Sequence, residues 1–134
     1  MLAFMMTTDL WCLVVNTLWG LGLVTVEITG KTKIAGVAWN KGNRDDTPQF
    51  PAWIKRTSSA LANHKENLPL FIVAVVVVHL AAKADHISAL GAQGYVVARA
   101  LHALLYIGGV TGLRTLAWLA GLASVLVVLS RLFF

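Results

Sequence analysis

Charged residues are scarce in this sequence, and most of the chain is apolar. Only 13% of its 134 residues are Asp, Glu, Lys or Arg, whereas 57% are hydrophobic, and the mean hydropathy is +0.72. An ordinary soluble domain carries about 25% charged residues. The composition therefore excludes a typical soluble domain and indicates a membrane protein.

Cysteine and recognisable catalytic motifs are scarce as well. The single Cys12 lies inside the first apolar segment, so the sequence has neither a disulfide framework nor the cysteine spacing of a metal site. It contains no internal repeat, no glycine-rich phosphate loop and no hydrolase motif. We expect no metal, and we look for function among the polar residues inside apolar segments.

Four apolar segments dominate the chain, each close to the length of about 20 residues that a helix needs to cross a bilayer. We predict helices at about residues 10–29, 52–82, 90–110 and 115–133. Glycine should end the first near Gly30, and the second should begin near Pro51 and continue through Pro69 into the membrane. Runs this continuous favour helices over barrel strands. We therefore predict one all-α integral membrane domain over residues 1–134, a four-transmembrane-helix bundle within the lipid bilayer.

Most of the positive charge falls in one loop. The formal net charge is +5, which in a soluble protein would suggest nucleic acid, but in a membrane protein basic loops set the orientation. With Arg114 on the same side, we predict that the loop at residues 31–56 is cytoplasmic, that both termini lie outside and that no nucleic acid binds. The loop charges can also attract anionic lipid headgroups or an anionic substrate. They are Lys31, Lys33, Lys41, Arg44, Lys55 and Arg56.

A polar stripe runs along the second predicted helix. At about 100° per residue, Arg56, Asn63 and Glu66 lie on one face. An ionisable group at membrane depth costs roughly 2.5 to 3.5 kcal/mol on insertion scales, so such groups pair, face a wet cavity or bind something polar. The stripe is therefore one half of a candidate site.

The third predicted helix carries a matching stripe. Arg99, His102 and Tyr106 are spaced three and four residues apart, and Arg114 stands near the start of the fourth helix. All should lie toward the cytoplasmic half of the bundle, where one pocket could hold both stripes. Because the set has more cations than anions, positive charge remains available for an anionic ligand.

Other interpretations of these polar residues stay open. Glu66 could pair with Arg99 or Arg114 only to neutralise buried charge and fix the helix register. His79 lies away from the stripe and is expected to be a helix-contact residue. Glu27 could extend to the membrane interface, or it could reach the same pocket.

These residues occur in a pattern that resembles the MAPEG family, the membrane-associated proteins in eicosanoid and glutathione metabolism. The pattern is Arg56…Asn63-His-Lys-Glu66-Asn-Leu-Pro69-Leu-Phe71, then Arg99-Ala-Leu-His102-Ala-Leu-Leu-Tyr106, then Arg114-Thr115. Its order, spacing and four-helix layout agree with the family over nearly the whole chain. The family includes microsomal glutathione transferases and bacterial relatives.

The resemblance implies a homotrimer that binds glutathione as cosubstrate between neighbouring subunits near the cytoplasmic face. In that comparison Asn63 and Glu66 hold the glutathione backbone and amino group, and Arg114 lies by the thiol. The other positions of the implied site are Arg56, Arg99, His102 and Tyr106, Thr115 in place of a serine, and Lys33 where some members have arginine. The chain departs from some members at Ser59 and Ala62, where they carry arginines, and at Trp118, where they carry tyrosine.

We therefore expect a glutathione-dependent transferase or peroxidase that acts on a lipophilic electrophile or hydroperoxide in a bacterial cell membrane. A guanidinium such as Arg114 can stabilise a thiolate without titrating itself. One alternative is a non-catalytic lipid-binding or scaffold protein, a role that the family also contains. The other is a small proton-coupled transporter that relies on Glu27 or Glu66.

Overall fold

A computed structural model describes residues 5–134, so residues 1–4 of the predicted domain lie outside the described part. The described chain is helical apart from its turns and one loop. Its five helices are α1 (Thr8–Ala35), α2 (Val37–Lys41), α3 (Ala52–Leu80), α4 (His86–Gly108) and α5 (Gly112–Ser130). The predicted all-α class is confirmed, and the short α2 within the basic loop was not predicted.

The predicted end of the first helix at Gly30 was wrong. Helix α1 continues to Ala35 and ends at Gly36, whose φ of 88° suits glycine. Gly30 is buried in the helix, and a Cβ there would lie 2.9 Å from the Trp53 ring. This glycine therefore allows α1 to pack closely against α3, and the chain does not turn there.

The start of the third predicted helix also differs, because a capping box begins α4 at His86 instead of near residue 90. The Asp85 carboxylate accepts hydrogen bonds from the Ile87 and Ser88 amides at 2.9 and 3.0 Å. The Ser88 hydroxyl in turn accepts from the Asp85 amide at 2.9 Å. These bonds satisfy amides that a helix start leaves free, so α4 begins before the predicted start.

Three described helices, α1, α3 and α5, are long and apolar enough to cross a membrane. The helix that carries Arg99 and His102, α4, is not among them, so the fourth membrane span stays a prediction. Large apolar side chains face outward, with Leu18 and Leu116 each 61% exposed. Apolar surface of this extent requires lipid or another protein to cover it.

Consecutive long helices are antiparallel, as close contacts at glycine show. A Cβ at Gly20 would lie 2.9 Å from Nε2 of His64, whereas a Cβ at Gly30, later in α1, would lie 2.9 Å from Trp53, earlier in α3. Between α4 and α5, a Cβ at Gly94 would lie 2.9 Å from Oγ of Ser124. The end of α1, the start of α3, the end of α4 and the start of α5 therefore share one end of the bundle. We call this the basic end, residues 31–56 and 108–114.

The core consists of two clusters. The larger one includes Phe71 and Tyr95, whose rings stack with centroids 4.0 Å apart. The smaller one joins Leu23, Ala60 and Ala103 from α1, α3 and α4, and Tyr106 packs against it. The second cluster therefore fixes the helices that carry the polar stripes.

Candidate functional site

Arg99 links α4 to α3 from a buried position. Its side chain is only 1% exposed, and its Nη2 donates a hydrogen bond of 2.8 Å to Oδ1 of Asn63. Gly121 on α5 faces the aliphatic stem, since a Cβ there would lie 3.5 Å from Cδ of Arg99. Within residues 5–134, Nε and Nη1 of Arg99 are buried without a hydrogen-bond partner. The guanidinium therefore keeps two donors available.

Asn67 supports the Asn63 side of this link. Its Nδ2 donates to the backbone carbonyl of Asn63 at 2.8 Å and lies 3.4 Å from Oδ1 of Asn63. Asn67 is 8% exposed. Asn67 was not among the predicted site residues, although the spacing of four residues between two asparagines on one helix was a usable signal.

His102, Tyr106 and Arg114 form a continuous chain of contacts. The rings of His102 and Tyr106 meet edge to face with centroids 5.7 Å apart. The Arg114 guanidinium lies over the Tyr106 ring, with Cζ 4.2 Å from its centroid. Both Arg99 and Arg114 interact electrostatically with His102. A cation over an aromatic face is attracted by the ring quadrupole, so Tyr106 positions Arg114 at the basic end.

Arg56 contacts the turn between α4 and α5. Its guanidinium lies against Gly109, which ends α4 with a φ of 80°. The last carbonyls of a helix carry partial negative charge, which favours a cation there. The observed contact of Arg56 is therefore with the turn that precedes Arg114.

Glu66, Lys33 and Thr115 are exposed on the single chain. Among the described residues Glu66 forms no ion pair with Arg99 or Arg114, so the structure does not contain the purely structural pairing that we considered. Among residues 5–134, the Thr115 hydroxyl donates to the Thr111 carbonyl on its own helix, at 3.4 Å. These three side chains are thus available to ligands or to another subunit.

His64 is a buried polar residue that the sequence analysis did not single out. It is 2% exposed, its ring faces Gly20 on α1, and it interacts with the Asn16 backbone and the charge of Arg99. The exposed Lys65 and Glu66 beside it obscured its burial, which depends on where α1 packs.

Glu27 does not join the candidate site. Its carboxylate pairs with Lys31, one turn later on α1, at 2.6 Å. His79 interacts electrostatically with Asp9 at the opposite end of the bundle. In the described part of the chain, no group of three or more His, Cys, Asp or Glu residues could hold a metal ion.

Some of the predicted site residues therefore contact one another within one chain, in two separate groups. Asn63 and Arg99 form one pair, and His102, Tyr106 and Arg114 form a contiguous second group. Positive charge exceeds negative charge throughout. Such an arrangement can bind carboxylates and stabilise an anionic sulfur atom.

Comparison with known proteins identifies the family. No curated protein and no solved structure matches the chain. A model of the MAPEG family matches residues 8–134, which include all five helices and every predicted site residue. The chain is therefore an integral membrane protein that belongs to the MAPEG family.

Proposed function

We propose that this protein is a glutathione-dependent membrane transferase or peroxidase that acts on lipophilic electrophiles or hydroperoxides. It works as a homotrimer of four-span subunits and binds glutathione between subunits near the cytoplasmic face. The supporting observations are the Arg114 guanidinium, placed 4.2 Å from the centroid of the Tyr106 ring, and the part-buried hydrogen bond from Arg99 to Asn63. Family membership supports a glutathione-related function at the level of the family.

The exposure of part of the set supports a site between subunits. Glu66, Lys33 and Thr115 point to the surface of a single chain, where a neighbouring subunit can close over them. Glu66 supplies a carboxylate for the glutathione amino group, and Asn63 supplies amide contacts to the peptide backbone. Lys33 and Arg56 are cations for the glutathione carboxylates. In this arrangement the inner residues of one chain and the surface residues of its neighbour form one pocket.

Arg114 is the group that we assign to the chemistry. A free thiol has a pKa of about 8.5, and a nearby guanidinium lowers that pKa by stabilising the thiolate. After the thiol loses its proton to solvent, the sulfur attacks an electrophilic carbon. A C–S bond forms while the bond from that carbon to its leaving group breaks, and the leaving group departs with the electron pair. With a hydroperoxide, the sulfur attacks the outer oxygen and the O–O bond breaks, which yields an alcohol and a sulfenic acid. A second glutathione then condenses with the sulfenic acid, releasing water and the disulfide.

The first test is glutathione binding to the detergent-purified protein by calorimetry. We expect Glu66→Ala to abolish or greatly weaken binding, because the amino group loses its carboxylate partner. Arg114→Ala should bind glutathione but fail to produce the ultraviolet absorbance of a bound thiolate. Lys65→Ala is the matched control, since Lys65 is an exposed charge beside Glu66. Absence of binding to the wild-type protein at millimolar glutathione would reject the proposal.

A groove between α3 and α5 favours a second candidate, a non-catalytic lipid-binding protein. The groove has a volume of about 410 Å³ and is lined by apolar side chains such as Leu70, Val73 and Leu126. This candidate predicts retention of lipid by purified protein without thiolate formation. The transporter alternative is not favoured, because the Glu27 carboxylate is already paired with Lys31 and the cations Arg99 and Arg114 on the side of Glu66 are unsuited to a cationic substrate.

A further inference from the structure

A separate pocket lies in the basic loop. It has a volume of about 470 Å³, and its lining includes Lys31, Trp39, Arg44, Phe50, Ile54 and Lys55. None of these residues belongs to the predicted glutathione set. No acidic residue among those described lines it. We call it the loop pocket.

Two aromatic rings form one wall of the loop pocket. Trp39 and Phe50 meet edge to face, with centroids 5.6 Å apart. The Trp39 Nε1 donates a hydrogen bond of 2.7 Å to the Asp46 carbonyl. This bond ties α2 to the following loop and holds the indole in place. Asp45 and Asp46 line a different groove that also borders Trp39.

Two cations lie over this aromatic wall. Arg44 lies over the Trp39 ring at 5.3 Å, and Lys31 lies 5.9 Å from the Phe50 centroid. Arg44 adopts a φ of 62°, rare for a residue with a side chain, and its Nη2 donates to Oδ1 of Asn40 at 2.6 Å. These contacts place the guanidinium on the pocket wall.

The charges of Arg44 and Lys55 are not neutralised by carboxylates. Lys31 is paired with Glu27, but Arg44 bonds to an asparagine and Lys55 to the Gln49 amide oxygen at 3.4 Å. In the described part of the chain, neither of these two cations forms a salt bridge. The loop pocket therefore holds two positive charges that are open to an anion.

We propose that the loop pocket binds the phosphate group of an anionic phospholipid headgroup. The pocket lies where α1 ends and α3 begins, and Trp53 on the first turn of α3 is 43% exposed, as is typical of a side chain at the membrane interface. Lys and Arg near a membrane surface attract anionic lipids, and guanidinium groups bind phosphate oxygens with paired hydrogen bonds. Ile54, which is fully buried, gives the pocket an apolar floor. The proposal does not depend on glutathione chemistry.

The test compares lipid retention by native mass spectrometry after purification from mixed phosphatidylglycerol and phosphatidylcholine. The variant Arg44→Gln/Lys55→Gln removes both open cations, and Lys41→Gln/Lys83→Gln removes two charges outside the pocket. Since each Lys or Arg near the surface contributes about 1 kcal/mol to anionic lipid binding, we expect the pocket variant to lose about 25-fold in phosphatidylglycerol affinity. The control should retain the wild-type affinity. Glutathione binding is measured on all three proteins and should be unchanged.

A competition arm distinguishes the source of the phosphate. Inorganic phosphate at millimolar concentration should not displace the lipid, since the membrane holds the headgroup at a high local concentration. The lipid assignment would be overturned if inorganic phosphate displaced the lipid from the wild-type protein and the pocket variant lost phosphate binding as much as lipid binding. Free phosphate would then be the ligand. Equal retention by pocket and control variants would also overturn it. If the double variant does not fold, Lys55→Gln alone supplies the measurement, with an expected loss of about fivefold.

Discussion

The guanidinium of Arg56, one turn into α3, lies against the α-carbon of Gly109, the left-handed residue that ends α4. This contact joins the start of one helix to the turn that leads into α5. Because Arg114 lies in the first turn of α5, the position of a proposed catalytic group depends on a residue without a side chain.

Substitution of Gly109 should therefore be costly. Gly109→Ala places a Cβ in the space of the Arg56 guanidinium and at a φ of 80°, and the left-handed conformation alone costs about 1–2 kcal/mol for a residue with a Cβ. Gly108→Ala is the matched control, because a Cβ there meets nothing within 4 Å. Thermal unfolding in detergent should show a lower Tm for Gly109→Ala only. Equal shifts in both variants would contradict this account.

The hydrogen bond between Asn63 and Arg99 should contribute to stability. Asn63→Leu removes the one acceptor that the described structure provides for the buried guanidinium. A hydrogen bond to a charged group is worth about 1.5–3 kcal/mol, and we expect a loss of about 2 kcal/mol in the free energy of unfolding. Chemical unfolding in detergent measures it. Ala62→Leu, at an exposed neighbouring position, is the control and should leave the free energy of unfolding nearly unchanged. A comparable loss of stability in this control would show that the hydrogen bond does not contribute.

Activity should depend on Arg114 more than on the Tyr106 hydroxyl. Removing one electrostatic stabiliser of a reacting anion costs about 100-fold or more in kcat, so Arg114→Ala should lower kcat by about that factor with little change in glutathione affinity. Tyr106→Phe keeps the ring under the guanidinium and should retain more activity than Tyr106→Leu. Steady-state kinetics with a lipophilic electrophile measures kcat for the three variants. Identical loss in Phe and Leu variants would assign the effect to the hydroxyl.

Stability at low pH should depend on Asp85, which lies outside the membrane-spanning helices. Hydrogen bonding from the Ser88 backbone, followed by Arg131, lowers the pKa of its carboxyl from the ordinary value of 3.8. A lowered pKa in the folded state means that the stabilising contribution is complete above 3.8 and is lost as the pH falls from there through the lowered pKa. Unfolding curves of the wild-type protein, measured from neutral pH down through the lowered pKa of Asp85, should show this loss of stability. Asp85→Asn should lack this part of the pH dependence, and an unchanged pH profile would contradict the assignment.

Much of the fold could be predicted from the sequence. Backbone groups in lipid must bond within their own segment, so apolar runs of sufficient length indicate helices, and the start of α3 at Ala52 agrees with the predicted start at residue 52. The local errors have local causes. Gly30 allows α1 to pack closely against α3 and does not end the helix. The capping box of Asp85 and Ser88 starts α4 earlier than predicted.

Part of the candidate site could be predicted because helical periodicity is local. Arg99, His102 and Tyr106 share a face by spacing alone, and the ring contact of His102 and Tyr106 follows from that spacing. The bond from Arg99 to Asn63 requires a specific rotation of α3 against α4. The spacing of residues within one helix does not specify how that helix is rotated against its neighbour.

The sequence by itself determined that the chain is helical, membrane-embedded and rich in cations at one end, because composition and 3.6-residue periodicity act within each segment. Only the tertiary structure decided that His64 is buried beside α1, that Arg56 meets Gly109 and that Arg44 and Lys55 share the loop pocket. These contacts join residues far apart in the chain. They depend on how whole helices pack, where the small volume of a glycine decides which side chains can approach.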